Sequence, residues 1–405
     1  RYQRASLLGY SSHADFVLEE RMAGNPLKVF TFLNDLLDKA KPFADKELNQ
    51  LQNFAKEFDG LDNLETWDYM FYSEKLKNKL FNLDDEKLKP YFKLENVING
   101  AFNVAEKLFG LSFIEVRNID TYHKDVKTYE VKNKENKLVS IFYADFHPRQ
   151  GKRNGAWMDC IKAQKVKNGI NERPHIINVC NFTSPTDKNP SLLTFNEVTT
   201  LFHEFGHGLH GMLANTTYPS LSGTNVCWDF VELPSQILEN WCYEKECLDF
   251  FAVHYRTGES LPIEFIEKIK ESSTFMQGIK TVRQISLGLL DMSWHAVDPK
   301  TITSVKENES HSIIKTRMFP EIDISCTSVS FSHIFSGFED YSSGYYSYKW
   351  AEILDADAFE YFKENGIFNK EIGRSFLDNI LSKGGTEKPM TLYKRFRGKE
   401  PSQSL

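Results

Sequence analysis

Cysteine is scarce in this chain, with 6 among 405 residues at Cys160, Cys180, Cys227, Cys242, Cys247 and Cys326. So few thiols, so widely scattered, exclude a disulfide framework and predict isolated cysteines. Cys242 and Cys247 have no second pair nearby, which argues against a four-cysteine zinc site. No apolar run approaches the roughly 18–20 residues of a spanning helix, so no membrane partner is expected. An excess of basic charge is missing too: 49 Lys and Arg stand against 56 Asp and Glu, a net charge of −7. That balance lacks the basic stripe of a nucleic-acid binder, and no nucleic-acid partner is expected. There is no internal repeat and no low-complexity tract. The first residue is Arg1 rather than Met, so the chain is expected to be the C-terminal part of something longer. A cytoplasmic location is expected, with a periplasmic one left open because a signal peptide would lie outside this sequence. What is present, 41% hydrophobic and 26% charged residues, suits a large folded core in two or three domains or one two-lobed body.

Helical periodicity dominates. Ser11 and Ser12 precede an apolar face over 13–22, and Gly24-Asn25-Pro26 ends it. Val29, Phe32, Leu33, Leu36 and Leu37 recur at steps of three and four in a stretch over 27–58, and a further helix over 64–83 holds Trp67, Tyr69, Met70, Phe71 and Tyr72 as core aromatics and aliphatics. From 111 to about 182 the pattern changes to short alternating, β-branched runs at 112–117, 126–132, 138–144 and 175–180. Helical spacing returns at Leu193. The chain therefore reads as mainly α, with a helical wall at 1–110 and a region at 111–405 whose small sheet precedes a helix carrying chemistry.

That helix contains His203-Glu204-Phe205-Gly206-His207, the pattern H-E-x-x-H. Residues four apart are separated by about 40° around a helix and about 6 Å along it, so both imidazoles can address one cation. Glu204, next to the first histidine, can take a proton from a water without binding the metal. A third ligand is needed. His210 lies about 10.5 Å along the axis from His203, too far to share an ion with bonds near 2 Å, and is expected to be a packed histidine. Glu232 is the better candidate: Pro234 suits the first turn of a helix and places Glu232 at its entry. A capping box formed by Asp229 and Glu232 is an equally open use of that carboxylate. Two histidines and one glutamate would make the open site of a catalytic zinc.

These residues carry a resemblance. The run 203–210, then Asp229-Phe-Val-Glu-Leu-Pro-Ser-Gln236, then Gly344-Tyr-Tyr-Ser-Tyr-Lys-Trp350 resemble the M3 family of zinc oligopeptidases. Tyr91-Phe-Lys-Leu-Glu-Asn-Val97, Gly155-Ala-Trp-Met158, Val179-Cys-Asn181, Leu221-Ser-Gly-Thr-Asn225 and Leu289-Leu-Asp-Met-Ser-Trp-His295 are similar to its peptidyl-dipeptidase branch, from about Arg4 to Arg397. The resemblance implies a two-lobed zincin-type body with a deep channel, one zinc held by His203, His207 and Glu232, and Glu204 as catalytic base. It implies substrate and oxyanion contacts from Tyr345 and Tyr348, with His333 and Tyr341 in the same segment. The loop from His333 to Tyr341 is longer and poorer in glycine than the family pattern, and Lys349 stands where an apolar residue is common. Gln236 and Asp229 are candidates to orient His203 or His207. The implied activity is hydrolysis of short unfolded peptides by a monomer, with release of C-terminal dipeptides as the first reading. Internal cleavage and a non-catalytic zinc protein that binds peptides are the alternatives.

Overall fold

The computed structural model describes residues 1–319, 327–337 and 341–401; Cys326 and positions 338–340 of the His333 loop lie outside the described residues. The other five cysteines form no disulfide among the described residues. No described helix is long and apolar enough to cross a membrane. The chain divides into two compact units, Arg1–Leu83 with Lys270–Trp350 and Asp84–Ile269 with Ala351–Leu405. This interleaving differs from the single cut after residue 110 read from the sequence. Periodicity reports local structure, whereas units are defined by which distant helices pair.

The first unit is helical. Its spine is the helix Pro26–Asp59, started by Asn25, whose side chain accepts from Lys28 N at 3.0 Å, and ended by Gly60 in the left-handed region at φ 72°. Val29, Leu33 and Leu37 are buried along it. They share one core with Val282, Ile285, Leu289 and Met292 of the helix Gln277–His295. The helix expected over 64–83 is Tyr69–Phe81, and burial corrects the sequence reading: Tyr72 is buried, whereas Met70 on the helix and Trp67 on the turn before it are 73% and 67% exposed and Phe71 is exposed. At 100° per residue a consecutive run cannot all face inward.

The second unit holds a five-stranded sheet in the order Ser112–Val116, Lys127–Lys132, Leu138–Asp145, His175–Val179, Trp157–Lys162. The first three strands are antiparallel, Leu138–Asp145 and His175–Val179 are parallel, and Trp157–Lys162 runs antiparallel at the far edge. The sequence points to a sheet edge only around 155–158; the rest of the strand gives no signal, because Trp-Met-Asp-Cys-Ile-Lys does not alternate. The loop before it is pinned by buried charge. Arg149 donates two hydrogen bonds to Asp145, at 2.7 and 2.8 Å, and Lys152 Nζ lies 2.6–3.0 Å from Asp145 Oδ1 and from the carbonyls of Asp145, His147 and Cys180. Burial pushes the Asp145 carboxyl up, but the hydrogen bonds from Arg149, Tyr122 and Lys152 bring it down to about 2. Asn181 Nδ2 completes the anchorage by donating to the carbonyls of Arg153 and Gly155 at 3.0 and 2.7 Å.

Candidate metal centre

The helix Phe195–Met212 starts with a capping box: Glu197 N donates to Thr194 Oγ1 at 3.2 Å, and Thr194 N donates to Glu197 Oε2 at 2.8 Å. Val198, Leu201, Phe202, Phe205 and Leu209 bury one face of it. Gly206 sets its distance from the next element. A Cβ there would stand 2.1 Å from Pro234 O and 2.6 Å from Ser235 Cα, so only glycine lets the helix Leu233–Trp241 come this close. Glu232 is the residue at the start of that second helix, and Pro234 occupies its first turn, as the proline position predicts.

The close approach brings three donors together. Glu232 Oε2 lies 3.4 Å from His203 Nε2 and 3.1 Å from His207 Nε2. All three ligand atoms fall within 4.8 Å of one another, in a group of His, Cys, Asp or Glu that has no counterpart among the described residues. Donors bound to zinc at 2.0–2.2 Å in tetrahedral directions stand about 3.3 Å apart, so the two measured separations fit such an ion. The capping alternative fails: Cys227, not Asp229, takes the cap position of the short helix Trp228–Val231, Glu232 takes that of Leu233–Trp241, and neither side chain makes a cap bond. The carboxylate turns to the histidines instead.

Electrostatics agree with a site built for a cation. Burial opposes the charge of Glu232, yet the adjacent His207 and His203 hold its carboxyl well below the usual range. Burial likewise opposes charge on His203, but hydrogen bonds to Glu232 and Glu239 hold its imidazole well above its ordinary value. In both cases it is the pairing of opposite charge that overcomes burial, and a bound dication would favour the carboxylate in the same way. Glu204 is buried, its Oε2 has no hydrogen-bond partner among the described residues, and burial raises its pKa against the pull of His203 and His207. His210 is fully buried and pushed down to about 3 by burial and by His207, the packed histidine expected.

Sequence reasoning missed two supports. Glu239 Oε1 lies 2.6 Å from His203 Nδ1, the orienting contact for which Asp229 and Gln236 had been the candidates. The available signal was spacing, because Glu239 follows Glu232 by two turns of one helix. Ser235 Oγ lies 2.9 Å from Glu232 Oε2 and holds the carboxylate from below. Glu239→Gln should weaken zinc binding about 10–100-fold, the usual loss when a histidine ligand's partner is removed. Competition with a metal chelator measures it, and unchanged affinity would mean that His203 is oriented by packing alone.

Tyr341, Tyr345, Tyr348 and His333 lie in the other unit and are brought together there. Tyr341 and Tyr348 stack with centroids 5.2 Å apart, Tyr345 and Tyr348 meet at 5.3 Å, and His333 stands 6.1 Å from Tyr341 and 6.0 Å from Tyr345. Steps of four and three from Tyr341 to Tyr345 to Tyr348 suit one helical face, but the structure differs. The described helix begins at Ser347, so Tyr341 and Tyr345 sit on turns before it and only Tyr348 is helical.

Helix, sheet and donor set together give a zincin-type fold with a candidate metal centre. The chain belongs to peptidase family M3, whose model matches residues 1–405. It is 44% identical over 404 residues to oligopeptidase A of Escherichia coli, covering 99% of this chain and 59% of that protein. To dipeptidyl carboxypeptidase of Escherichia coli it is 37% identical over 404 residues, with the same 99% and 59% coverage. Among solved structures, PZ peptidase A with an inhibitor superposes with a TM-score of 0.58 at 15% identity, over 100% of this chain and 60% of that one. An M32 carboxypeptidase from Deinococcus radiodurans does so with 0.53 at 11%, over 100% and 69%. These two show the fold. The chain thus spans about three-fifths of the curated relatives it matches.

Proposed function

We propose that the chain carries the catalytic centre of a zinc peptidase acting on short unfolded peptides. The observation that carries this reading is the convergence of His203 Nε2, His207 Nε2 and Glu232 Oε2 beside a buried carboxylate, Glu204, that is left over from the donor set. A structural zinc would take four protein ligands and would need no such base. When bound, zinc supplies polarisation of the scissile carbonyl and lowers the pKa of a water towards about 7. Glu204 takes a proton from the attacking water and returns it to the leaving nitrogen as the C–N bond breaks. Tyr345 and Tyr348, with His333 and Tyr341, take the substrate and oxyanion contacts that the family resemblance implies; a phenol donor of this kind contributes roughly 2.7–4 kcal/mol. His175–Val179 is interior to the sheet and Trp157–Lys162 is at its edge, so an extended substrate is assigned to pair with the edge strand.

Internal cleavage now ranks above dipeptide release, because identity is higher to the relative named oligopeptidase A, at 44%, than to the dipeptidyl carboxypeptidase, at 37%. The motifs shared with the peptidyl-dipeptidase branch keep dipeptide release as the second reading. Mass analysis of products from a series of blocked peptides separates the two. Internal fragments support the first, and stepwise loss of C-terminal dipeptides the second. Cleavage that persists after chelation would overturn both.

A further inference from the structure

The helix Gln277–His295 carries a buried carboxylate that the metal centre does not use. Asp291 is 0% exposed. Its Oδ1 accepts from Ser343 N at 2.8 Å and lies 2.8 Å from His295 Nδ1, and its Oδ2 accepts from Tyr345 N at 3.0 Å. The neighbourhood is apolar, with Leu290, Phe331 and Ile334 in one buried cluster with Tyr345 itself. A carboxylate in such a place costs several kcal/mol unless it is fully bonded, and core packing alone would be served better by leucine.

What the carboxylate holds is an unusual stretch of backbone. Ser343 has φ 54°, in the left-handed region where glycine or asparagine is favoured, and its own Oγ is buried without a hydrogen-bond partner among the described residues. The hydroxyl therefore does not hold this conformation; the N–H given to Asp291 does. Gly344 N donates to Tyr341 O at 2.8 Å and Ser347 N to Gly344 O at 3.1 Å, so the strained residue is the third position of the turn 341–344, which leads through the turn 344–347 into the helix bearing Tyr348. Behind Asp291, His295 Nε2 lies 2.8 Å from Arg1 Nη1. The tautomer that satisfies both ring contacts carries its proton on Nδ1. Arg1 also donates to the carbonyls of Ile334 and Gly337, which belong to the segment bearing His333.

We propose that Asp291 is a positioning residue: backed by His295 and Arg1, it fixes the turn that aims the Tyr345 phenol. This rests on the reading that Tyr345 serves peptide hydrolysis. Asn keeps the shape of Asp291 but turns an amide towards one of the two N–H groups, so the turn loses an anchor. In the zinc-loaded protein, Asp291→Asn should lower kcat about 10–100-fold, with KM and zinc content changed less than about twofold. In a Tyr345→Phe background the same change should lower kcat less than about threefold, because residues acting through one group do not add. Amide exchange at Ser343 and Tyr345 should quicken at least about tenfold while the helix Pro26–Asp59 keeps its protection. An equal loss of kcat in both backgrounds, or wild-type kcat and exchange in Asp291→Asn, would overturn the proposal. Full kcat in Tyr345→Phe alone would overturn the tyrosine reading on which it rests, and exchange at the two amides still decides whether Asp291 holds the turn. If Asp291→Asn does not fold, His295→Gln carries the same comparison, with a smaller loss that should again vanish in the Tyr345→Phe background.

Discussion

Glu204→Gln is expected to lower kcat for peptide hydrolysis by about 10²–10⁴-fold, the range of a lost general base, while the zinc content of the protein stays unchanged. The substitution changes one atom. The amide fills the volume of the carboxylate but cannot take a proton from water near neutral pH, and Glu204 is outside the three-donor group. Its Oε2 has no hydrogen-bond partner among the described residues, so no structural bond at that oxygen is lost with it. Stability should move the other way. Burial pushes the Glu204 carboxyl up, which means that the folded chain binds its proton more tightly than the unfolded chain does. The side chain therefore destabilises the fold increasingly as pH rises through the carboxylate range. An amide has no charge to bury, so the Tm of the metal-free protein should rise in Glu204→Gln at neutral pH. Slow turnover, intact zinc and raised Tm together identify a functional carboxylate kept at the expense of the fold. Full turnover would move the base elsewhere, and loss of zinc would make Glu204 part of the metal's support.

Much of this was legible because the relevant signals are local. His203, Glu204 and His207 share one helix and one spacing, and Pro234 fixed the start of the next helix and with it the place of Glu232. The strands at 112–117, 126–132, 138–144 and 175–180 showed their alternation. What was not legible depends on partners distant in sequence. Trp157–Lys162 is a strand because His175–Val179 offers it a free edge, and nothing in its own residues demands that. Met70 and Phe71 look like core by composition but face outward, because Tyr72 and Leu76 take the inward face of that helix, and Trp67 is exposed on the turn before it. The tyrosines of 341–348 keep a helical spacing on a segment that is mostly turn, since a buried Asp291 from another helix overrides the local preference at Ser343. Asp291 itself stood inside a quoted motif, but only the fold shows which amides it accepts. Glu239 was visible as a spacing from Glu232, yet spacing cannot say that its carboxylate meets the ring nitrogen of His203 facing away from Glu232.

Gly206→Ala should uncouple the ligand set without touching a ligand. On propensity alone the change would stabilise an interior helix position by about 1 kcal/mol, so a loss of stability is informative. The new methyl carbon would meet Pro234 O at 2.1 Å and Ser235 Cα at 2.6 Å. Both are backbone atoms, which cannot rotate away as a side-chain end could. Relief requires the helices Phe195–Met212 and Leu233–Trp241 to part by about 1 Å, and such overpacking costs about 1–3 kcal/mol or more. Glu232 precedes Pro234 by two residues, so it must move with the second helix, away from His203 and His207. Metal bonds tolerate only about 0.2 Å of misplacement. Zinc affinity should therefore fall at least about 100-fold, with a Tm lower by several degrees, measured by chelator competition and thermal melting. Gly208→Ala is the matched comparison: its methyl would meet Asn178 Oδ1 at 2.9 Å, a side-chain atom that can yield, so zinc binding there should stay within about threefold of wild type. Equal zinc affinity in both variants and wild type would mean that Glu232 reaches the histidines by side-chain reach alone. The glycine between the two histidines would then matter for packing and have no part in assembling the metal centre.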